Sequence, residues 1–272
     1  MNVFDFSIII NITLQNNIFS GLFVGQNLLT LKEVDSTNNF LKNLLTNSKP
    51  VPEGTVIMAE SQFAGRGQQN NKWHAEPGKN LTFSLLLQPH FLDIAHQFDL
   101  NRAVSIGVYD ALYPLLGDGL KIKWPNDIYY RDKKLGGMLI ENLLQGSRIK
   151  NSIIGIGLNI NQERFPDDAA NATSVKQILQ RDYQLNDILA DICNNIEAWY
   201  LKLKSGKTDS IRDTYLSRLY WFNEEKQFRT ATGHVFTGTI TGVKDNGLLM
   251  VQHNDTETTY NLKEIEFLNK QP

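Results

Sequence analysis

The sequence predicts an α/β (α+β) chain: a mixed, largely antiparallel sheet backed by helices, followed by a small all-β module. Three observations carry that expectation. Apolar runs bounded by polar segments, such as Thr55–Ala59, Asn80–Leu87 and Ser152–Ile160, read as buried strands. Two longer stretches, Asp99–Leu116 and Leu189–Leu203, repeat their apolar residues at helical spacing. After Phe222 the pattern changes to short alternating segments, with Gly233, Asp245-Asn246-Gly247 and Asn254-Asp255 as turns.

The elements follow in order. Val3 to Phe23 is apolar-rich, yet no Lys or Arg precedes Lys32, so the charged start of a signal peptide is missing. Asn11 and Gln15-Asn16-Asn17 break the run short of a membrane span. Residues 1–27 are therefore expected to form an N-terminal extension or an edge strand. Leu28–Leu31 is strand-like, and Asp35-Ser36-Thr37-Asn38 supplies helix-capping residues ahead of Phe40, Leu41, Leu44 and Leu45. Ser36 and Thr37 thus stand where helix amide donors are free. Gly117 and Gly119 end the helix that begins at Asp99. Leu120 to Tyr130 reads as one strand, and Leu135–Glu141 returns antiparallel to it after the polar turn Arg131–Lys134. Lys121 and Lys123 alternate around Ile122 and so share a sheet face. Gly136-Gly137 in an apolar strand suggests close approach by a ligand or another backbone. The organisation expected is 28–222 as the main domain and 223–272 as the β module.

Composition narrows the function classes. The chain has 272 residues, 41% hydrophobic and 21% charged, with net charge -2 and pI about 6.2, which gives no basic footprint for nucleic acid. Cys193 is the one cysteine, so an internal disulfide and a cysteine metal cluster are excluded. The five histidines lack metal-ligand spacing. A cytoplasmic, reduced location fits, with neither DNA nor membrane as partner.

The chemistry gathers around Glu60–Trp73. A polar segment of roughly twenty residues between two core strands is unusual, and such loops are more often functional than idle. Gly65 and Gly67 permit positive φ and close backbone approach, and Arg66 between them is a fixed cation suited to a carboxylate or phosphate. These residues alone leave a ligand loop and a plain surface loop equally open. Familiar signatures fail elsewhere. Ser205-Gly206-Lys207-Thr208 would need a P-loop glycine at Leu201, and Gly155-Ile156-Gly157 would need a third glycine at Ile160. No Gly-x-Ser-x-Gly elbow occurs. Arg66, Lys123, Lys134 and Asp127 remain, a set suited to positioning and neutralising an anion.

Together these residues resemble the biotin–protein ligase (biotin–acetyl-CoA-carboxylase ligase) family, from about Leu28 to Phe267. The likeness is carried by Glu33-Val34-Asp35-Ser36-Thr37-Asn38, Gln62-Phe63-Ala64-Gly65-Arg66-Gly67, Lys123-Trp124-Pro125-Asn126-Asp127, Lys134-Leu135-Gly136-Gly137 and Gly155-Ile156-Gly157-Leu158-Asn159. It implies a class II synthetase-like catalytic domain, an SH3-like barrel at the C-terminus, and a two-step reaction. Biotin and MgATP would give biotinyl-5′-AMP and pyrophosphate. A lysine of a biotin carboxyl carrier domain would then take the biotinyl group and release AMP.

The resemblance also implies roles. Ser36, Thr37, Asn38 and Gln62 would contact biotin, with Gly136, Gly137, Leu139, Gly155 and Gly157 walling its pocket. Arg66, Gly67 and Gln68 would belong to the flap over the adenylate. Lys134 would reach the biotin carboxylate and the α-phosphate, and Lys123 and Arg66 phosphate oxygens. Trp73, Asn126 and Asn159 would flank the nucleotide, and Asp127 would orient the incoming lysine. Mg2+ would come with the ATP phosphates, without a protein metal site. Two departures stand out. Gln68 replaces a further arginine that the family often carries after Gly-Arg-Gly, so the flap has one fewer cation. Bifunctional members carry an N-terminal DNA-binding domain; twenty-seven residues precede Leu28 here and none is basic, which argues for the monofunctional type. Lipoate–protein ligase is the nearest alternative. A DNA-binding regulator and an inactive binding module are alternatives of other classes, and a homodimer stays open.

Overall fold

The computed structural model describes residues 19–46, 50–68 and 71–268; the expectation for residues 1–18 lies outside the described residues. Leu28–Val34 (β1), Val56–Gln62 (β2), Leu81–Leu87 (β3), Leu120–Lys123 (β4), Asp127–Tyr130 (β5), Lys133–Gln145 (β6) and Arg148–Leu158 (β7) build one sheet. Its spatial order is β1-β2-β3-β7-β6-β5-β4. β1 and β2 run parallel, and the other neighbours are antiparallel. The mixed, largely antiparallel sheet is therefore as expected. The helices are Thr37–Thr46 (α1), Gln97–Leu116 (α2), Val175–Leu179 (α3), Leu185–Lys204 (α4) and Thr208–Ser217 (α5). Among the described residues no helix is long and apolar enough to cross a membrane.

Period-two alternation divides each strand between two faces. Val56, Met58, Phe83, Leu85, Leu87, Ile154, Ile156 and Leu158 join the large core that packs on α2, α4 and α5. Leu31, Ile57, Ala59, Leu86 and Ile153 join a smaller cluster under Leu41 of α1. A helix of ten residues is about 15 Å long. It covers only part of that second face. At and beyond the N-terminal end of α1, the strands carry Thr82, Ser84, Gly137, Gly155 and Gly157 instead of large apolar residues.

Residues 225–267 form a five-stranded antiparallel sheet: Glu225–Thr230 (β8), Val235–Val243 (β9), Leu249–His253 (β10), Thr256–Tyr260 (β11) and Ile265–Phe267 (β12), in the order β11-β10-β9-β8-β12. Polar anchors dock it on the larger sheet. The wholly buried Arg102 of α2 donates to Val243 O at 2.6 Å and pairs with Asp99 at 2.5 Å. Trp124 Nε1 donates to Gly247 O at 2.8 Å.

Three expectations need correction and one is narrowed. Leu120–Tyr130 is not one strand: Trp124-Pro125-Asn126, with a cis Trp124–Pro125 bond, turns the chain so that β4 and β5 pair antiparallel, Lys123 opposite Asp127. Pro125 has no N–H to give a ladder. Gly65 and Gly67 do not take positive φ. Their small size is what the loop uses, because a Cβ at Gly65 would run into Trp73 O and one at Gly67 would lie 3.3 Å from Asn71 O. Of the two alternatives for the N-terminus, extension or edge strand, residues 19–27 take the form of the extension: they are bends and turns, and the amides of Leu22, Phe23 and Val24 converge at 2.6 to 2.8 Å on the buried carboxylate of Glu197 in α4. Finally, α5 and β12 were not anticipated; Thr208–Ser217 is polar apart from a few buried residues, and β12 is three residues long.

Candidate active site

The uncovered face of the sheet opens into a cleft of about 630 Å³, a size usual for small-ligand sites. Ser36, Thr37, Asn38, Gln62, Arg66, Gly67, Gln68, Trp73, Lys123, Asn126, Asp127, Lys134, Gly137, Leu139, Gly155 and Gly157 all line it. Gly136 and Asn159 do not. Neighbouring strand side chains point to opposite faces, and it is Gly137 whose Cβ direction faces the cleft. A Cβ on Gly136 would meet Leu158 at 2.5 Å on the core side, whereas one on Gly137 would meet Asp127 Oδ1 at 2.8 Å. Asn159 is buried beyond the end of β7, and its Nδ2 donates to Thr173 O at 3.0 Å.

One end of the cleft is a chain of polar side chains. Gln62 Oε1 accepts from Thr37 N at 2.7 Å and from Thr37 Oγ1 at 3.0 Å, so the free amide at the start of α1 is capped by β2. Ser84 Oγ lies 2.7 Å from Thr37 Oγ1 and 2.6 Å from Asn38 Oδ1. Asn38 Nδ2 donates to Glu141 Oε2 at 2.7 Å. The spaces left by two glycines are filled by protein side chains: Asn38 Oδ1 stands over Gly155, and the Trp73 indole over Gly157. Trp73 Nε1 is buried and has no hydrogen-bond partner among the described residues.

The other end is cationic. Lys134 Nζ lies 2.8 Å from Asp127 Oδ1. Lys123 Nζ sits in an aromatic box, 4.4 Å from the Tyr129 ring centroid, 4.9 Å from Phe267 and 5.8 Å from Tyr220, and 3.1 Å from Tyr129 Oη. Burial lowers its pKa to about 8, against the opposing pull of the Asp127 charge. The same burial raises the Tyr129 phenol. Arg66 closes the mouth, with Nη2 2.6 Å from Glu141 Oε2. The flap itself is braced by Gly67 N to Asn71 O at 2.7 Å and Trp73 N to Gly65 O at 3.0 Å. Asn126 is turned inward: it is buried, and its side-chain amide donates to Met138 O, so it fixes the turn.

Sequence reasoning missed Tyr129 of the lysine box, the barrel residues Leu262, Lys263, Ile265, Glu266 and Phe267 that also line the cleft, and Ser84 and Glu141, which hold the lining side chains Thr37, Asn38 and Arg66 from behind. Thr82 and Ser84 did carry a signal, being polar at two-residue spacing in a buried strand. So did Glu141, which follows Gly137 and Leu139 at the same spacing. The barrel residues carry none, since only tertiary docking brings them near.

Arranged this way, the cleft can hold a polar head group at one end and neutralise an anionic centre at the other. The profile of the biotin/lipoate A/B protein ligase family matches residues 31–159. A bifunctional ligase/repressor, BirA, of Bacillus subtilis is 30% identical over 235 residues, which is 85% of this chain and 71% of that protein. A biotin–[acetyl-CoA-carboxylase] ligase of Paracoccus denitrificans is 28% identical over 82% of this chain and 92% of its own length. A biotin protein ligase from Aquifex aeolicus, solved in complex with biotin and ATP, superposes with a TM-score of 0.74 at 27% identity, covering 90% of this chain and all of that one. On these grounds the chain belongs to the biotin/lipoate A/B protein ligase family.

Proposed function

We infer that this protein is an ATP-dependent biotin–protein ligase. The observation that carries the reading is the convergence of Arg66, Lys123 and Lys134 on one cleft whose far wall is Thr37, Asn38, Gln62 and small residues of β6 and β7. The relatives named above as biotin ligases support biotin over lipoate.

In the first step a biotin carboxylate oxygen bonds to the α-phosphorus of ATP, and the bond from that phosphorus to the β-phosphate oxygen breaks, releasing pyrophosphate. Lys134 and Lys123 stand where they offset the charge that two anions bring together. Among the described residues no cluster of three or more His, Cys, Asp or Glu is placed to hold a metal. Mg2+ would enter as part of MgATP, held chiefly by phosphate oxygens. In the second step the neutral amine of a lysine on a biotin carboxyl carrier domain bonds to the acyl carbon, and the carbon–oxygen bond to phosphate breaks, releasing AMP. A free lysine has a pKa near 10.4, so about one in a thousand or fewer is neutral at pH 7. The Asp127 carboxylate at the mouth is suited to hold that amine and to accept its proton.

ATP-dependent labelling of a purified carrier domain tests the reading. Biotin transferred in preference to lipoate is the expected result. Lipoate transfer without biotin transfer would move the protein to the other branch of its family.

A further inference from the structure

We propose that Glu141 is a positioning residue whose single carboxylate braces both the flap arginine, Arg66, and the pocket amide of Asn38. The proposal rests on the biotin-ligase reading and adds a residue to it. Glu141 stands on β6 two residues beyond Leu139 and four beyond Gly137, so it shares the sheet face of these two cleft-lining residues. Its Oε2 accepts from Arg66 Nη2 at 2.6 Å and from Asn38 Nδ2 at 2.7 Å.

Each contact restricts its partner. Asn38 Oδ1 accepts from Ser84 Oγ at 2.6 Å, while Nδ2 faces Glu141 and Leu139 O, the latter at 3.3 Å. A flipped amide would set its oxygen against the Glu141 carboxylate and Leu139 O, which can only accept, whereas the Ser84 hydroxyl can serve either end, so it is Glu141 and Leu139 O that fix the orientation. Gly155 leaves the room for this, because a Cβ there would lie 2.5 Å from Asn38 Oδ1. Arg66, for its part, sits on a loop with glycine on both sides and would otherwise hold many rotamers. Among the described residues its side chain makes no other hydrogen bond. With Nη2 engaged by Glu141, its remaining donors are left to meet an anion in the cleft. A guanidinium held in place loses less entropy on meeting the adenylate than a free one. The carboxylate thereby links the wall that grips biotin to the flap that retains its adenylate.

Two substitutions separate the contacts. Glu141→Gln keeps an acceptor for Asn38 and removes the charge opposite Arg66, whereas Glu141→Ala removes both. The rate at which preformed biotinyl-5′-AMP leaves the enzyme is read by chase, and the KM for biotin by pyrophosphate release. Release is expected to rise about three-fold or more in both variants, as for loss of a half-exposed ion pair. The KM for biotin is expected to rise clearly only in Glu141→Ala. In an Arg66→Ala background Glu141→Gln should add nothing, because the two residues act through one contact. A purely structural role would instead multiply the effects. Release at the wild-type rate or slower in Glu141→Gln, or multiplying effects, overturns the proposal. A wild-type protein that makes no adenylate is a separate outcome: it removes the ligase reading, and this proposal falls with it.

Discussion

Lys134 Nζ and Asp127 Oδ1 meet at 2.8 Å above Gly137, the residue that faces Asp127 across the β5–β6 ladder. The lysine proposed to meet the acyl phosphate and the carboxylate proposed to hold the incoming amine thus form an ion pair with each other. The pair is partly exposed, so it adds little to stability, about 0–1 kcal/mol. Its value lies in orientation. Lys134→Ala is expected to slow adenylate formation by about 100-fold or more, while the melting temperature moves by no more than about 3 °C. Near-normal adenylate formation would contradict the role given to Lys134.

Asp127→Asn should separate the two steps. The amide keeps the shape but cannot take a proton from the attacking amine, so transfer is expected to fall by about 100-fold. Adenylate formation should fall less. Single-turnover transfer from preformed adenylate reads the second step alone, and an equal loss in both steps would place Asp127 in the first.

Gly155→Ala tests the packing of the pocket wall. The added methyl would lie 2.5 Å from Asn38 Oδ1, forcing the amide away from Ser84 and Glu141. Overpacking of this kind costs about 1–3 kcal/mol, so the KM for biotin should rise about ten-fold or more. Isothermal titration with biotin alone checks it.

Lys123 sets a pH dependence. Burial holds its pKa at about 8, with Asp127, Asp132 and Glu266 pulling it up and Lys134 pushing it down. The charge is present below that pH and is lost as pH rises through it, so ATP affinity is expected to fall above about pH 8. Binding of the anionic phosphates favours the proton, so titrations at pH 8.5 in buffers of different ionisation enthalpy should show proton uptake. For stability the sign is opposite. The unfolded lysine binds its proton more tightly, near 10.5, so this group's contribution to stability rises as pH climbs from about 8 toward 10.5. Phe267→Ala, by wetting the box, should raise the Lys123 pKa and move both effects upward in pH.

Much of this site was legible in the sequence because its parts are local. Gly65-Arg66-Gly67, Ser36-Thr37-Asn38 and Lys123 to Asp127 each carry their chemistry in a few adjacent residues, and all reach the same cleft. The misreadings have physical causes. Gly136 was paired with Gly137 although alternation separates their faces, and Asn159 follows the last cleft-facing residue and points into the core. Asn126 does line the cleft, and its side-chain amide also closes the turn through Met138 O. The Lys123 box was invisible for another reason: Tyr129 lies six residues from the lysine, but Tyr220 is near it because its amide donates to Ile122 O in β4, and Phe267 because Arg102 and Trp124 hold the barrel against the sheet.

The central claim is that this cleft activates a carboxylate with ATP and keeps the resulting acyl phosphate neutralised until an amine arrives. Exchange of labelled pyrophosphate into ATP, measured on pure folded protein without any carrier, tests it most directly. The account predicts exchange that starts when biotin is added and is nearly abolished in Lys134→Ala. No exchange with biotin present, or the same exchange without it, would contradict the account.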